Sequence, residues 1–367
     1  MIRIRSQSTH FDQWLLISTI ILVTVGLLAI YDASVVSAFR DFHDRLFYFK
    51  NQLIWASLGS ISLFFFSLFD YHRLLKLSHF ILAASILMLI LVLVPFIGTQ
   101  VLGARRWISV GTFTFQPSEF TKLALIFYGT SIISKLAKYK TSLIDFAIVL
   151  FLPALFTSVL VLVQPDLGTA LIFLVLTLII YFIGGGPVRH FFLAIPLLIA
   201  MAVAAIISQP YRLARLESFL DPTRDPQGAS YQISQIIIAL SSGKLFGVGI
   251  GGSRGKFDFI PEVHSDSIFA IIVEELGFIG GVVLILIFLF LITRGIKIAR
   301  SAPDLQGKIL AMGIVTLIAT QSLFNLASNV ALVPLTGVPL PFISYGGSSL
   351  FVTLTAIGIL LNVKSQS

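Results

Sequence analysis

The sequence contains no cysteine, and only 11% of its 367 residues are charged. The missing cysteine excludes disulfides, thiolate metal centres, iron–sulfur clusters and a cysteine nucleophile. The shortage of charge excludes more. Soluble chains carry about 25% charged and 45–50% apolar residues, whereas this one is 57% apolar with a mean hydropathy of +0.98. Water could not keep it dispersed, so a soluble enzyme, a disordered scaffold and a coiled-coil rod are ruled out. No Walker loop, metalloprotease motif or nucleophile elbow is present either. The net charge of +8 does not point to nucleic acid, because the basic residues are scattered between apolar runs. Membrane orientation accounts for them.

What is present is a series of uncharged runs. A membrane-crossing helix needs roughly 20 mostly apolar residues, because the hydrocarbon layer is about 30 Å thick and each residue rises about 1.5 Å. Seven runs precede residue 209: Gln13–Tyr31, Asn51–Phe69, Leu77–Ala104 with its helix ending near Pro95–Gly98, a segment through Leu123–Ser134 that reaches back over Gln116, Glu119 and Lys122, then Phe146–Pro165, Leu167–Val188 and Phe191–Ser208. Ser267–Ile292 is the eighth. Ile309–Val363 has no charged residue and is too long for one span, and its Pro- and Gly-rich stretch Val333–Ser349 reads as the turn between a ninth and a tenth. The expected fold is therefore all-α: one membrane domain over 1–367, ten transmembrane helices, and a long extracytoplasmic loop at 209–265 between helices 7 and 8.

Ten spans put both termini on one side. With that side cytoplasmic, the inner segments collect 13 of the 25 basic residues, including Arg3, Arg5, Lys138 and Lys140. The short outer loops hold six, and the remaining six, Arg224 among them, lie in the long loop, whose length discounts them. The expected location is the cytoplasmic membrane with both termini inside.

The 209–265 segment is long enough to demand internal structure or a function. It opens on an amphipathic pattern, Tyr211–Phe219, followed by a turn cluster from Asp221 through Asp225 to Gly228 and a short apolar helix, Tyr231–Leu240. A glycine run follows, with Gly247, Gly249 and Gly252 in G-x-G-x-x-G spacing. No βαβ unit surrounds it, so it is no dinucleotide fingerprint. It reads either as a flexible turn or as exposed amides that hold a phosphate with Arg254 and Lys256.

Several charges stand where the bilayer makes them costly. Glu119 and Lys122 share one helix face, and each would cost about 2.5–3.5 kcal/mol unpaired at mid-bilayer. They read as an internal ion pair or as a cavity wall that meets a polar ligand. Glu274 and Glu275 read as a structural pair or a solvated cavity. Asn325 and Asn329, one turn apart, suit interhelical hydrogen bonds, and Asp166 suits a cap for the sixth helix. Asp266, preceded by His264 and Ser265, begins the eighth helix at the outer interface. It reads as a helix cap, and also as a general base if it faces a wet cavity between basic groups.

Four motifs in order make the chain resemble one family. FDFIPEVHSDSIFAIIVEELG at 257–277 resembles the signature of the SEDS (shape, elongation, division and sporulation) family, which includes FtsW and RodA. GARRWI at 103–108 with QPSEFTK at 116–122, QPDLGTA at 164–170 and GVPLPFISYGGSS at 337–349 match further family motifs. The stretch Phe219-Leu220-Asp221, with Asp225, Gly228 and Tyr231, looks more like the division branch, while Ser267 and Val263 depart from its common residues.

The resemblance implies peptidoglycan glycosyltransferase activity: polymerisation of lipid II outside the cytoplasmic membrane, with the aspartate at position 266 catalytic. It also implies a class B penicillin-binding transpeptidase as partner, other divisome or elongasome membrane proteins, and a divalent cation (Mg²⁺ or Mn²⁺). In that reading Asp266 takes the proton of the acceptor hydroxyl and undecaprenyl diphosphate leaves. Arg106, Lys256, His264 and Arg212 or Arg215 supply positive charge, while Glu119, Lys122 and Ser344 complete the substrate-binding set. A lipid II flippase is the competing reading, weakened by the absence of paired inverted repeats. A non-catalytic scaffold is the third.

Overall fold

The computed structural model describes residues 11–101, 103–111, 113–136, 143–221, 228 and 230–367. Arg3, Arg5, Lys138, Lys140 and Arg224 of the charge count, and Asp225 with the rest of the 222–227 turn cluster, lie outside the described residues.

The chain is mostly helical. The first group is α1 (Gln13–Phe42), α2 (Phe47–Leu68), α3 (Tyr71–Lys76) and α4 (Ser78–Leu91). A small sheet of β1 (Gly98–Val101), β2 (Ala104–Val110) and β3 (Phe113–Phe115) follows. Then come α5 (Pro117–Leu136), α6 (Leu143–Asp145) running through a π-turn into α7 (Leu152–Val163), α8 (Leu167–Ile183) and α9 (Phe191–Ile207). The connecting segment contains α10 (Pro210–Leu220) and α11 (Tyr231–Ser242), and α12 (Ile268–Arg300), α13 (Leu305–Asn329) and α14 (Gly347–Ser365) complete the order. Among the described residues, seven helical stretches are long and apolar enough to cross a membrane: α1, α2, Phe146–Val163, Val188–Ile207, α12, α13 and α14. The helices α4 and α8 are shorter and apolar, and α5 carries Glu119 and Lys122.

Short acidic caps start these helices. The carboxylate of Asp12 accepts the Leu15 amide at 2.9 Å, that of Asp304 the Gly307 amide at 2.6 Å, and that of Asp166 the Thr169 amide at 3.0 Å. The cap expected at Asp166 is therefore in place.

Three features depart from the sequence reading. The helix in the uncharged run Leu77–Ala104, expected to end near Pro95–Gly98, stops at Leu91, and the chain after Pro95 turns into an antiparallel sheet that was not expected, with Gly98 opposite Ile108 and Ile108 opposite Phe115. The all-α expectation gives way there, because Pro95 and Gly98 end helix formation and a strand keeps Arg105 and Arg106 out of the apolar layer. The first helix, expected to stop at Tyr31, runs on to Phe42 and takes Asp32, Arg40 and Asp41 with it. The third departure is a break in α12 at Gly277, whose φ of 73° and ψ of −175° are not helical.

The bundle is built around α5, α8, α13 and α14, most of whose side chains are buried, while α9 is exposed along nearly its whole length. Exposed Phe, Leu and Ile on the outer helices are what a lipid-facing surface requires. Close approach at the centre depends on small residues: a Cβ on Gly358 would stand 2.4 Å from the Leu63 carbonyl oxygen, and Ser62 and Thr355 share a 2.6 Å hydrogen bond between α2 and α14.

Candidate functional site

The turn Glu262–Ser267, just before α12, is where several elements converge. Its backbone is held from two sides. The Tyr345 amide donates to the His264 carbonyl at 2.9 Å, and the side-chain amides of Asn325 and Asn329 both donate to the Asp266 carbonyl at 2.8 Å. Asn325 also donates to the Val338 carbonyl at 2.9 Å. The two asparagines thus do join elements, and the element they hold is the candidate catalytic turn.

Asp266 itself does not cap the helix. Ser267 occupies the cap position, and no side chain bonds the first amides of α12. The Asp266 carboxylate is partly exposed, accepts a 3.3 Å hydrogen bond from the Ser265 hydroxyl, and forms no ion pair among the described residues. Burial pushes its carboxyl above the usual carboxylate range; the positive field of Arg215 and hydrogen bonds from its own amide, Ser265 and Ser267 hold it back. A carboxylate freed from capping, stiffly mounted and raised in basicity has the attributes of a general base.

The neighbours sort themselves by charge. His264 is 5% exposed, lies against Tyr48 with ring centroids 4.1 Å apart, and has a buried Nδ1 without a hydrogen-bond partner. Burial lowers its pKa to about 4, despite the pull of Asp41. It is a neutral imidazole at pH 7 and contributes no positive charge. Glu262 is exposed, and its carboxyl is raised by desolvation first and then by Asp266 and Asp41. The exposed end of α1 supplies Arg40 and Asp41, 2.7 Å apart.

The other predicted residues fall into separate groups. Arg106 and Arg212 gather at the turn after α7. Arg106 donates to the carbonyls of Gln164 (2.8 Å) and Pro165, and Arg212 to those of Leu162 and Ala205 (both 2.9 Å) and to the Tyr211 hydroxyl (2.7 Å). Arg212 and Tyr211 line a cavity of about 580 Å³ together with Val159, Leu162, Val163, Pro165, Ala204, Ala205, Ser208 and Gln209. Arg215 is exposed, donates to the Leu335 carbonyl at 3.3 Å, and is the cation whose field reaches Asp266.

Lys256 stands elsewhere. Its ammonium bonds both oxygens of Asp32 on α1 (2.9 and 3.1 Å) and Glu275 on α12 (3.0 Å). Glu119 and Lys122 form a 2.6 Å ion pair with almost no exposure. Ser344 is buried, and its hydroxyl accepts the Leu340 amide at 2.9 Å. The sequence reading missed Asp32, Asn325 and Asn329 as parts of this assembly, along with Tyr48 and Tyr345. An acidic residue closing an apolar run was the only signal available for Asp32; packing alone brings it to Lys256.

The glycine run has a definite use. Its amides do hold an anion, but one supplied by the chain: Ser253 donates to the Glu275 carboxylate (3.2 Å), and Arg254 (3.0 Å) and Gly255 (3.3 Å) donate to that of Glu274, which also accepts the Ser253 hydroxyl.

Comparison with known proteins completes this description. The family model for the FtsW, RodA and SpoVE cell cycle proteins matches residues 13–367. The chain belongs to this family. It is 42% identical over 366 residues to stage V sporulation protein E of Bacillus subtilis, with 99% of both chains covered. It is 40% identical over 362 residues to a probable peptidoglycan glycosyltransferase FtsW of Trichlorobacter lovleyi, covering 97% of this chain and 93% of the relative. Among solved structures, a peptidoglycan synthase complex that coordinates polymerisation and crosslinking contains a similar chain, at a TM-score of 0.78 and 29% identity over 97% of this chain and 98% of that one. The rod shape determining protein RodA of Thermus thermophilus is similar at 0.70 and 28%, over 96% of both chains. With this membership and its several apolar helices, the chain is a multi-pass membrane protein.

Proposed function

We propose that the chain is a peptidoglycan glycosyltransferase that polymerises lipid II at the outer face of the cytoplasmic membrane, with Asp266 as its general base. The observation that carries this reading is the state of Asp266: released from capping, partly exposed, raised in basicity and fixed by Asn325 and Asn329. Its carboxylate accepts the proton of the acceptor 4-hydroxyl as that oxygen attacks the donor anomeric carbon. The bond to undecaprenyl diphosphate breaks, and the diphosphate leaves with the electron pair. A diphosphate whose charge is neutralised needs no proton to depart, so the second carboxylic acid of glycosidases is unnecessary.

Arg215 is the nearest candidate for that neutralisation. Arg212 lines a largely apolar crevice, and Arg106 bonds the carbonyl of Pro165 in its wall, an arrangement that suits a lipid whose charged head stays at the surface while its chain enters the hydrocarbon. A divalent cation would add to this. Among the described residues no three acidic or histidine side chains come together as a metal site, so Mg²⁺ would rest on one or two carboxylates, Asp266 or Glu262, with diphosphate and water oxygens. It would supply positive charge to the leaving group.

The same reading includes ten spans, cytoplasmic termini, an extracytoplasmic 209–265 segment within a single domain, and a class B penicillin-binding transpeptidase as partner alongside other divisome or elongasome proteins. Within the family, the division branch fits the motifs around Phe219–Tyr231. The test is direct. Purified chain in detergent, given fluorescent lipid II, produces glycan ladders; Asp266→Asn, folded and still binding lipid II, produces none. Ladders of normal yield from Asp266→Asn would refute the base assignment, and no ladders from the wild type, alone or with its transpeptidase partner, would refute the polymerase.

A further inference from the structure

The glycine run and the break at Gly277 form one device. In an unbroken helix the amides of Phe278 and Ile279 would bond carbonyls one turn earlier. Here they bond the carbonyls of Lys244 (2.8 Å) and Leu245 (3.2 Å) instead. The carbonyls freed on the other side, Glu274 and Glu275, accept the amides of Val248 (3.0 Å) and Gly249 (3.1 Å). Four backbone hydrogen bonds thus splice the segment 244–249 into the gap. Only glycine fits at both faces of the splice: a Cβ on Gly247 would stand 2.0 Å from the Glu275 carbonyl oxygen, and one on Gly277 2.3 Å from that of Leu245. With the backbone turned inward, the side chains face out. Phe246 is 79% and Ile250 84% exposed, with Leu245 and Val248 also exposed. Phe278 and Ile279, bonded to the same segment through their amides, are exposed too and begin the part of α12 beyond the break. Lys244 and Arg254, both exposed, flank it in sequence.

We infer that Leu245–Ile250 is a membrane hook that seats in the outer-leaflet interface, its apolar side chains among acyl chains and Lys244 and Arg254 on anionic phospholipid headgroups. The bonding to exposed apolar residues of α12 commits the occupant to lipid, and the flanking cations commit the headgroup to a negative one. The splice makes the seat consequential. The hook is bonded to Glu274 and Glu275 in the half-helix Ile268–Leu276, and that half-helix begins two residues after Asp266. Membrane depth at the hook is thereby passed to the height of the candidate base. The inference concerns membrane seating and does not depend on the chemistry assigned to Asp266.

The absence of native cysteine makes the experiment clean. Phe246→Cys and, separately, Ile250→Cys carry a nitroxide label in full-length protein in nanodiscs, and power saturation compares collisions with oxygen, which concentrates in lipid, and with a nickel chelate, which stays in water. Phe290→Cys on α12 serves as a deep reference. The hook predicts labels dominated by oxygen at both sites and shallower than the reference. It also predicts deeper labels in phosphatidylglycerol discs than in phosphatidylcholine discs, a difference abolished by Lys244→Gln with Arg254→Gln. Labels open to the nickel chelate, or shielded from both reagents by protein, would overturn the membrane seat. Equal depth in the two lipids would overturn the headgroup assignment.

Discussion

Two carboxylates of this chain, Glu119 and Asp266, both precede or open a buried helix, and they have opposite fates. Glu119 stands three residues before Lys122 on α5, and the pair closes on itself at 2.6 Å with almost no exposure. Asp266 has neither cap to make nor cation within bonding distance among the described residues, yet its main chain is bonded by two asparagines. The comparison separates stability from chemistry. A charge whose partner is on the next turn has been neutralised for packing; one left without a counter-charge, on a backbone others take care to fix, has the marks of a functional group.

The sharpest break of that comparison is Asp266→Asn. Polymerisation should fall at least 10²–10⁴-fold, the usual share of a general base, while the melting temperature stays at the wild-type value. Lys122→Met should do the reverse. Leaving Glu119 buried and alone costs about 3–5 kcal/mol, read as a lower melting temperature in detergent, and adding Glu119→Gln should restore most of it. If Lys122→Met leaves stability untouched, the pair is not structural.

Gly277→Ala tests how α12 delivers Asp266. The positive φ alone costs about 1–3 kcal/mol, and the clash with the Leu245 carbonyl adds to it, so both melting temperature and polymerisation should fall. Asn325→Ala and Asn329→Ala probe the mounting. Each removes a bond worth about 1 kcal/mol, and the expected result is a reduced kcat with KM for lipid II nearly unchanged; the reverse pattern would place the asparagines in binding.

The smallest effect is a pH shift. A general base works when ionised, and burial lifts the Asp266 carboxyl above the ordinary range, so the acid limb of kcat/KM should lie above that of an exposed carboxylate. Arg215 holds the carboxyl down. Arg215→Gln should therefore move the limb to higher pH, and a limb moving to lower pH would contradict the assigned field. His264, with a pKa near 4, should contribute no step between pH 5 and 8.

Much of this was legible one residue at a time. Apolar runs without charge announce helices because lipid offers the backbone no other partner, and Asp166 announces its cap because the bond spans three residues. The pairing of Glu119 with Lys122 is likewise local. The departures are all products of distance. Pro95 and Gly98 mark an end to α4, but the sheet that follows exists because strands pair across turns. Asp266 reads in sequence as a cap and, if it faces a wet cavity, also as a base; the folded chain gives the cap position to Ser267 and ties the Asp266 carbonyl to asparagines 59 and 63 residues away.

The amino-acid order by itself settled that this is a membrane protein, roughly where its helices run, and which four motifs deserve attention, since hydropathy and short-range hydrogen bonding are properties of neighbouring residues. Only the folded chain decided which charges are consumed. Lys256 went to Asp32 and Glu275, the amides of Arg254 and Gly255 to Glu274, and two arginines to the turn after α7, while Asp266 kept no ion pair among the described residues, because partners separated by tens or hundreds of positions meet only when the helices pack.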